Sequence, residues 1–530
     1  MPVAFASIRR HKLSFGTGTF GAALPHLDYL STLGVTTIVL TPIAESRSPS
    51  SSINSTLNQI FYGVRRPDIV DASLGGAAGL VAFVKRAHEL SLTVVVDNVP
   101  NGLRRDSPYL PASPSFCGGA DVLRRNSSGE YVIAWGANVE LDWSSRALRD
   151  WWTAEIGLKW VQEYGVDGFR CDCEPNYGST PLWSGLAGKV FAATGKRILI
   201  MSETNPIWGE ASDRGFAFHL TQHDFDSHDI TQSPQQARSE DWFYGSRGSS
   251  FVDAVKRCGE PLATRTLSNH DYTHYTVLGQ FAAFVYGTII SPFSPHWFGG
   301  EESNQTRHLL QGGTGVLYFQ QMDWRAAAEP TASRLASRVS KMLRVRKECY
   351  GLFGPSRTGA PINRTVQIVE LPTIVSGAFG TGALEGSVSV LPAYMFWRSS
   401  AAVFVLASRQ NLPSNGPHGG SAYVISVQRQ QLVINVTFPQ LQAQLDGLGT
   451  AARVEVVDLE RQSVVDGPKP LAQLAQQGFS YTVGAGDAAV LLIRPAAGAA
   501  VAGRQPLECG ALVPHVAAVD DNDRGVFRTH

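Results

Sequence analysis

Short β-branched runs alternate with amphipathic stretches along the first two thirds of the chain, and this alternation constrains the fold more than any other feature. Runs such as "VTTIVLTP" and "LTVVVDNVP" indicate buried strands, and "AAGLVAFVKRAHELS" between them has helical spacing. Strands that alternate with helices form parallel sheets covered by those helices. With "FAAFVYGTIISPF" as a strand that closes the sheet, about eight such units fit the length, which predicts an α/β fold, a (β/α)8 TIM barrel.

Changes in composition predict where the domains begin and end. Residues 1–102 and 142–360 would form the barrel, interrupted after its third strand by a small inserted subdomain, residues 103–141, rich in Pro, Gly, Ser and Asn. Residues 361–497 carry strand-like runs separated by turn residues, which predict a C-terminal antiparallel β-sandwich. Residues 498–530 are rich in Ala and Gly and then acidic, and we expect a poorly ordered tail.

Charge and hydropathy exclude several classes of partner. The 530 residues hold 45 basic and 45 acidic side chains without a long charge run, so neither nucleic acid nor a membrane surface is an expected partner. The N-terminus has no apolar run typical of a signal peptide, which favours an intracellular protein. The compartment stays open, because Asn-x-Ser/Thr sequons that suit a secreted mature form occur at Asn54, Asn126, Asn304, Asn363 and Asn435. The sequence leaves the oligomeric state undetermined.

The cysteines lack the spacing of a metal site. They form no CxxC motif and no Cys/His pattern, so neither a zinc site nor a dense disulfide framework is predicted. We expect free, buried thiols at Cys117, Cys171, Cys173, Cys258, Cys349 and Cys509.

The stretch "VDGFRCDCEP" places two opposite charges inside an apolar strand. Side chains alternate faces in a strand, so Arg170 and Asp172 share one face while Phe169 and Cys171 share the other. Burying an ion pair for stability alone is unfavourable, because desolvation can exceed the attraction. The stretch therefore predicts either a functional, wet cleft or a structural bridge at a strand end.

Polar residues follow several of the predicted barrel strands. The carboxyl ends of barrel strands carry catalytic groups, so these side chains are expected to converge at one rim. Two carboxyl groups on either side of a sugar are what cleavage of a glycosidic bond requires. The residues in question are Asp97, Arg170, Asp172, Glu203, His270 and Asp271.

Four of these motifs together resemble the α-amylase family of glycoside hydrolases. They are "DNVPN" from Asp97, "GFRCD" from Gly168, "SE" at Ser202 and "SNHD" from Ser268, in the family's order, with "FYGVRRPDIVD" and "WFGGEE" as further matches. The resemblance spans roughly residues 1 to 350. It implies a (β/α)8 barrel, a retaining mechanism and an α-glucan substrate.

The resemblance also implies a role for each matching residue. Asp172 would be the nucleophile, Glu203 the general acid/base, and Asp271 a ligand of the ring hydroxyls, helped by His270. Arg170 would hold Asp172 ionised, since a nearby cation favours the charged form. Asp97 would support the rim and Tyr62 would be a stacking platform for the sugar.

The chain departs from the family pattern at three positions. Gly102 stands where many members have a sugar-binding histidine, and Pro175 and Asn176 stand where many have a Lys-His pair. These departures affect binding of the sugar in the cleavage subsite, the subsites on the leaving-group side and the family's calcium site. Asn101 could still give an oxygen to Ca²⁺. We therefore expect no required cofactor and leave a structural Ca²⁺ as the alternative.

The sequence as a whole predicts a retaining hydrolase of α-glucosidic bonds in starch, glycogen or malto-oligosaccharides. The same carboxylates would serve a transglycosylase, a branching or debranching enzyme or a trehalose-processing enzyme, since a sugar hydroxyl can replace water. A non-catalytic carbohydrate-binding homologue is the alternative from a different class. The glucan is the one partner we expect.

Overall fold

A computed structural model describes most of the chain, and every structural statement below refers to the part that it describes. That part consists of residues 3–6, 18–46, 62–110, 113–133, 138–172, 178–202, 218–221, 251–258, 264–266, 280–303, 323–355, 360–371, 373–376, 388–390, 393–398, 401–410, 431–436, 441–445, 448, 452–484 and 487–496.

The first 303 residues contain the strands of the predicted barrel and two short hairpins. In chain order the strands are β1 (Val3–Ala6), β2 (Thr37–Leu40), β3 (Ala44–Glu45), β4 (Arg66–Val70), β5 (Thr93–Asn98), β6 (Gly102–Arg104), β7 (Asn138–Glu140), β8 (Gly168–Cys171), β9 (Leu199–Ser202), β10 (Phe218–Thr221), β11 (Thr264–Thr266) and β12 (Ser294–Phe298).

Eight of these strands form one parallel sheet in the order β10-β9-β8-β5-β2-β1-β12-β11. Each neighbouring pair in that order is parallel. The order is that of a (β/α)8 barrel opened between its sixth and seventh strands. Among the described residues no pairing joins β10 to β11, so the sheet is not closed.

Helices follow most of these strands, as the alternating pattern predicts. The helix Gly76–Glu89 buries Leu80, Phe83 and Val84 on one face, which is the amphipathic pattern of a barrel helix. The other described helices of this half are Phe20–Ala23, Leu27–Leu33, Arg146–Trp152, Lys159–Glu163, Thr180–Thr194, Phe251–Arg257, Gln280–Val285, Trp324–Ala328 and Pro330–Phe353, with a π-helical turn at Thr153–Leu158. No described helix is long and apolar enough to cross a membrane.

The run "FAAFVYGTIISPF" is not the closing strand, so that prediction is wrong. It forms the helix Gln280–Val285 and a buried turn, and the last strand of the sheet is β12, directly after it. Phe281, Phe284 and Ile289 are all buried. A run that is apolar on every side suits a buried helix as well as a buried strand, which is why its periodicity could not separate the two.

The C-terminal half is antiparallel throughout. A seven-stranded sheet and a three-stranded sheet share one core, which contains Met395, Phe404 and Ile493 from the larger sheet and Tyr481 from the smaller. Its strands are β13 (Ile368–Glu370), β14 (Thr373–Ser376), β15 (Val388–Val390), β16 (Tyr394–Arg398), β17 (Ala401–Gln410), β18 (Gln431–Val436), β19 (Arg453–Asp458), β20 (Ser463–Pro470), β21 (Phe479–Gly484) and β22 (Ala488–Pro495). Three short helices accompany them, Ile362–Thr365, Leu441–Gln444 and Leu471–Gln477.

The helix Pro330–Phe353 packs against both halves. Arg338 on this helix forms salt bridges with Glu460 and with Asp487 of the C-terminal half, the latter at 2.7 Å. Its guanidinium carbon also lies 3.5 Å from the ring centroid of Phe281. One arginine thus connects the long helix, the barrel half and the C-terminal sheet.

The prediction of free, buried thiols holds for some cysteines and is wrong for one. Cys117, Cys171 and Cys258 are free and buried, and burial raises the pKa of the Cys117 thiol to about 12. Cys349 is instead disulfide-bonded, and Cys173 and Cys509 lie outside the described residues. Spacing along the chain could not reveal this bond, because a disulfide joins residues by their distance in space.

Candidate active site

Strand register brings the polar residues of β5 and β8 together. Asp97 and Arg170 are direct partners in the parallel pairing of these strands. Asp172 follows β8 and donates its backbone N–H to the carbonyl of Asn98, which continues the pairing by one step. The two carboxylates and the arginine therefore meet at the carboxyl ends of neighbouring strands.

Arg170 binds both carboxylates through one nitrogen. Its Nη1 lies 2.8 Å from Oδ1 of Asp172 and 2.9 Å from Oδ2 of Asp97. The exposed fractions of the three side chains are 1% for Arg170, 0% for Asp97 and 7% for Asp172. Two carboxylates thus share one guanidinium nitrogen.

The cluster is more buried than the sequence predicts. We expected a wet cleft around Asp172, but all three side chains are almost fully shielded. Removing the Arg170 guanidinium would leave two buried carboxylates without this cation, which costs several kcal/mol, about 3–5. Arg170 must therefore contribute to stability as well as to the site.

The aromatic ring predicted to stack on the sugar makes a polar contact instead. Tyr62 is 3% exposed, and its hydroxyl donates to Oδ2 of Asp97 at 2.6 Å. Its role as a stacking platform stays a prediction. In the structure it fixes Asp97, the residue predicted to support the rim.

Two asparagines complete the described part of the site. Asn101 Nδ2 donates to Oδ2 of Asp172 at 3.3 Å, and its Oδ1 accepts from Nδ2 of Asn138 at the same distance. Asn138 Nδ2 also donates to the carbonyl of Tyr62 at 3.1 Å. Sequence reasoning missed Asn138, because it lies in a segment interpreted only as an insertion, with no motif of its own.

Asn138 belongs to a hairpin at the base of the predicted subdomain. β6 and β7 pair antiparallel, with Gly102 opposite Glu140. This hairpin leaves β5 directly beyond the rim, so the base of the insertion lies beside Asp97 and Asp172. The boundaries 103 and 141 of the subdomain stay predictions.

The hairpin also explains the departure at Gly102. A Cβ on residue 102 would lie 2.5 Å from the carbonyl oxygen of Val139 and 3.1 Å from Cβ of Asn138. A histidine there would push into backbone, so this position cannot carry a sugar-binding imidazole without a shift of the hairpin. If the absence of this imidazole weakens sugar binding, another residue would have to supply the missing contact.

Most of the remaining predicted site residues lie outside the described part of the chain. This applies to Glu203, His270, Asp271, Pro175 and Asn176. β9 ends at Ser202, so the residue before Glu203 is at the carboxyl end of the strand next to β8. The roles of all five residues stay predictions.

The described residues offer a poor fit to calcium at Asn101. The single side-chain oxygen of Asn101 already accepts a hydrogen bond from Asn138. Calcium takes six to eight oxygen ligands, and the described part of the chain holds no cluster of three or more His, Cys, Asp or Glu side chains suited to a metal. The structural Ca²⁺ stays a prediction, and no step below depends on it.

The described contacts fix the position and orientation of the Asp172 carboxylate. One carboxylate oxygen binds the guanidinium and the other accepts from an amide, so the group is fixed and favoured in its charged form. A carboxylate at this place would stabilise positive charge on a neighbouring atom. A fixed carboxylate in such a field can act as a nucleophile or as an electrostatic stabiliser.

Comparison with known proteins finds relatives over part of the chain, and no family model matches. A malto-oligosyltrehalose trehalohydrolase of Saccharolobus solfataricus is 30% identical over 167 residues, 31% of this chain and 26% of that protein. A cyclomaltodextrinase of Geobacillus thermopakistaniensis is 36% identical over 30% of this chain and 27% of that protein. The chain thus spans about a quarter of the length of these curated relatives.

Solved structures match nearly the whole chain. A maltogenic α-amylase from Thermotoga neapolitana has a TM-score of 0.59 at 16% identity, over 93% of this chain and 99% of that one. An α-amylase from Geobacillus thermoleovorans, complexed with acarbose, has a TM-score of 0.56 at 15% identity, over 93% and 98%. This likeness concerns the fold, which is that of a (β/α)8 barrel.

The carboxyl ends of barrel strands are where barrel enzymes carry catalytic residues, and cleavage of a glycosidic bond requires two carboxyl groups. The partial relatives belong to the same class as the structural neighbours. The partial relatives and the structural neighbours are enzymes of the α-amylase family of glycoside hydrolases, the family that the four ordered motifs of this chain resemble.

Proposed function

We propose that this chain is a retaining glycoside hydrolase that cleaves α-glucosidic bonds in glucans or malto-oligosaccharides. The observation that supports it most is the Arg170 contact, which fixes a buried Asp172 carboxylate at the rim. The relatives named above are trehalohydrolase and cyclomaltodextrinase, which process such sugars.

In the proposed reaction Asp172 attacks the anomeric carbon while Glu203 protonates the departing oxygen. The glycosyl-enzyme formed on Asp172 is then hydrolysed by water, which Glu203 deprotonates. Asp271 and His270 would bind the ring hydroxyls as positive charge develops. Each of the two displacements inverts the anomeric carbon, so the product keeps the α-configuration.

A trehalose-processing activity is the second candidate. The observation in its favour is that several relatives, from Saccharolobus solfataricus, Rhizobium and Mycobacterium tuberculosis, are malto-oligosyltrehalose trehalohydrolases. Both candidate activities use the same carboxylates. They differ in which sugar unit occupies the leaving-group side.

One experiment tests and separates the two. The purified chain is incubated with maltoheptaose, with maltopentaosyltrehalose, with a cyclodextrin and with glycogen, and products are resolved by length and by anomeric configuration. We expect α-configured malto-oligosaccharides or glucose from the linear chains. Release of trehalose as the dominant product would favour the second candidate, and no cleavage of any of the four would contradict both.

A further inference from the structure

We propose that Asn138 is a positioning residue for the nucleophile, acting through Asn101. The inference rests on the proposed function, because it takes Asp172 as the nucleophile. Asn138 comes from the hairpin outside the barrel, yet its amide is two hydrogen bonds away from the Asp172 carboxylate. The connection runs from Asn138 Nδ2 to Asn101 Oδ1 and from Asn101 Nδ2 to Asp172 Oδ2.

Two described contacts bear on the orientation of the Asp172 carboxylate. Arg170 binds its Oδ1 at 2.8 Å, and a contact to one oxygen does not by itself fix the carboxylate plane about the Cβ–Cγ bond. The Asn101 amide binds the other oxygen and so sets that plane. A nucleophile held in the attacking orientation reacts faster, because the cost of orienting it has been met by folding.

Asn101 can serve as this donor in only one of its two amide orientations. With the amide turned over, Oδ1 would face the Asp172 carboxylate and repel it. Asn138 presents an N–H to Asn101, and an N–H can pair only with the oxygen of that amide. The contact therefore selects the orientation in which Asn101 Nδ2 points at Asp172.

Burial makes this selection strict. Asn101 and Asn138 are both 0% exposed, so water does not compete for their amides. Asn138 Oδ1 is buried and has no hydrogen-bond partner in the described part of the chain. An apolar side chain would fill the same space without that unpaired acceptor, so packing alone does not account for an amide here. Its two donor contacts, to Asn101 and to the Tyr62 carbonyl, do.

The test compares Asn138→Asp and Asn138→Ala with the wild type. Asn138→Asp keeps the size and replaces the donor with an acceptor that repels Asn101 Oδ1, while Asn138→Ala removes the contact. Asn126→Asp is the matched control, the same chemical change at an exposed position of the same segment. The measurements are kcat and KM on maltoheptaose, the rate of glycosyl-enzyme formation from an activated 5-fluoro-α-glucosyl fluoride, and the thermal midpoint.

We expect Asn138→Asp to slow glycosyl-enzyme formation and kcat about tenfold, the size of one lost hydrogen bond to a charged group, with KM within about twofold. The acid limb of the kcat/KM profile should move to higher pH, because Asp172 loses a donor to its charged form and the new carboxylate adds like charge nearby, while the described charged groups that face Asp172, Arg170 and Asp97, are unchanged. Asn138→Ala should show a smaller loss, and Asn126→Asp none.

Other results would overturn the inference. A folded Asn138→Asp enzyme with wild-type rates and an unchanged pH profile would show that Asn101 needs no partner. Failure of both Asn138 variants to fold would show a structural contact. A wild type that is inactive on every α-glucan tested would overturn the proposed function, and the inference with it, and is distinguished by the wild-type control alone.

Discussion

Among the described residues of the barrel half, two arginines are almost fully buried, and their partners differ. Arg170, at the rim, binds two carboxylates. Arg346, on the helix Pro330–Phe353, donates to the carbonyls of Ile289, Ser291 and Phe293 at 2.6, 2.6 and 2.7 Å. Each is at most 3% exposed. The described acceptors of Arg170 are two carboxylates, whereas those of Arg346 are neutral carbonyls.

The different partners indicate which arginine belongs to the candidate active site. Arg346 donates hydrogen bonds to carbonyls of the buried turn before β12, and none of these acceptors belongs to the rim. Burial lowers the pKa of the Arg346 guanidinium to about 10, so it is charged at neutral pH. Arg170 instead holds two carboxylates at a rim where a sugar would acquire positive charge. Substitutions should therefore separate a loss of activity from a loss of stability.

The largest effect is expected at Asp172. Asp172→Asn keeps the shape and an acceptor for Arg170, but an amide cannot form the glycosyl-enzyme, so kcat should fall by about 10⁴-fold or more. The free energy of unfolding should change by less than about 1 kcal/mol, because like charge beside Asp97 is relieved. Initial rates on maltoheptaose and urea denaturation measure the two.

A second variant distinguishes loss of the nucleophile from loss of substrate binding. In Asp172→Gly, azide can enter the vacated space and attack the anomeric carbon once. The product would be a β-glycosyl azide, formed by single inversion. An α-azide, or a variant that keeps wild-type turnover without azide, would contradict the nucleophile assignment.

Arg170→Met should reduce both the free energy of unfolding and kcat. Two buried carboxylates lose their cation, so we expect a loss of about 3–5 kcal/mol in stability and about 10²–10³-fold in kcat of the folded enzyme. Urea denaturation and rates measured well below the thermal midpoint separate the two. Adding Asp97→Asn should recover part of the stability and none of the activity; full recovery of activity would return Arg170 to a purely structural role.

The sequence could predict the contact in this cluster but not its burial. Residues Arg170 and Asp172 lie two apart on a strand, so alternation alone places them on one face. Burial depends on what covers the rim, and the hairpin that carries Asn138 has no periodic signal. The same limit explains Arg346: its three partners are backbone carbonyls of a turn, and carbonyls leave no trace in a sequence.

Parallel strands were predictable for a related reason. The barrel strands are local apolar runs, and their order follows from chain connectivity once helices alternate with them. The run from Phe281 was misassigned because a segment that is apolar on every side has no period. The cysteine bond at Cys349 was missed because it depends on distance in space.

Arg346→Met should give a loss of stability alone. Three buried carbonyls lose their donors, which outweighs relief of the buried charge, and we expect about 2–4 kcal/mol. Arg344→Met is the matched control, an exposed arginine on the same helix, with an expected change within about 0.5 kcal/mol. Urea denaturation gives both values. If kcat of folded Arg346→Met fell as far as that of Arg170→Met, the separation between the two arginines would be wrong.

The smallest effect concerns the pH dependence of stability at His26. This histidine contacts the helix Trp324–Ala328, which precedes the helix that carries Arg346. The ring of His26 stacks on Trp324 at 3.7 Å between centroids and an angle of 4°. Burial lowers the pKa of His26, so the folded protein resists protonation there. Below about pH 6.5 the unfolded chain therefore binds a proton that the folded chain does not, and stability falls as pH decreases.

His26→Phe keeps an aromatic ring against Trp324 and removes the titrating group. The difference in urea midpoint between pH 7.5 and pH 5.5 should be smaller in this variant than in the wild type, by less than the change that Arg346→Met produces. Activity of the folded enzyme at pH 7.5 should be unchanged, since His26 contacts none of the described residues around Asp172. Equal pH slopes in the two proteins would show that His26 titrates alike in both states. A matching shift in the acid limb of kcat/KM would instead tie this segment to the rim and remove the contrast between the two regions.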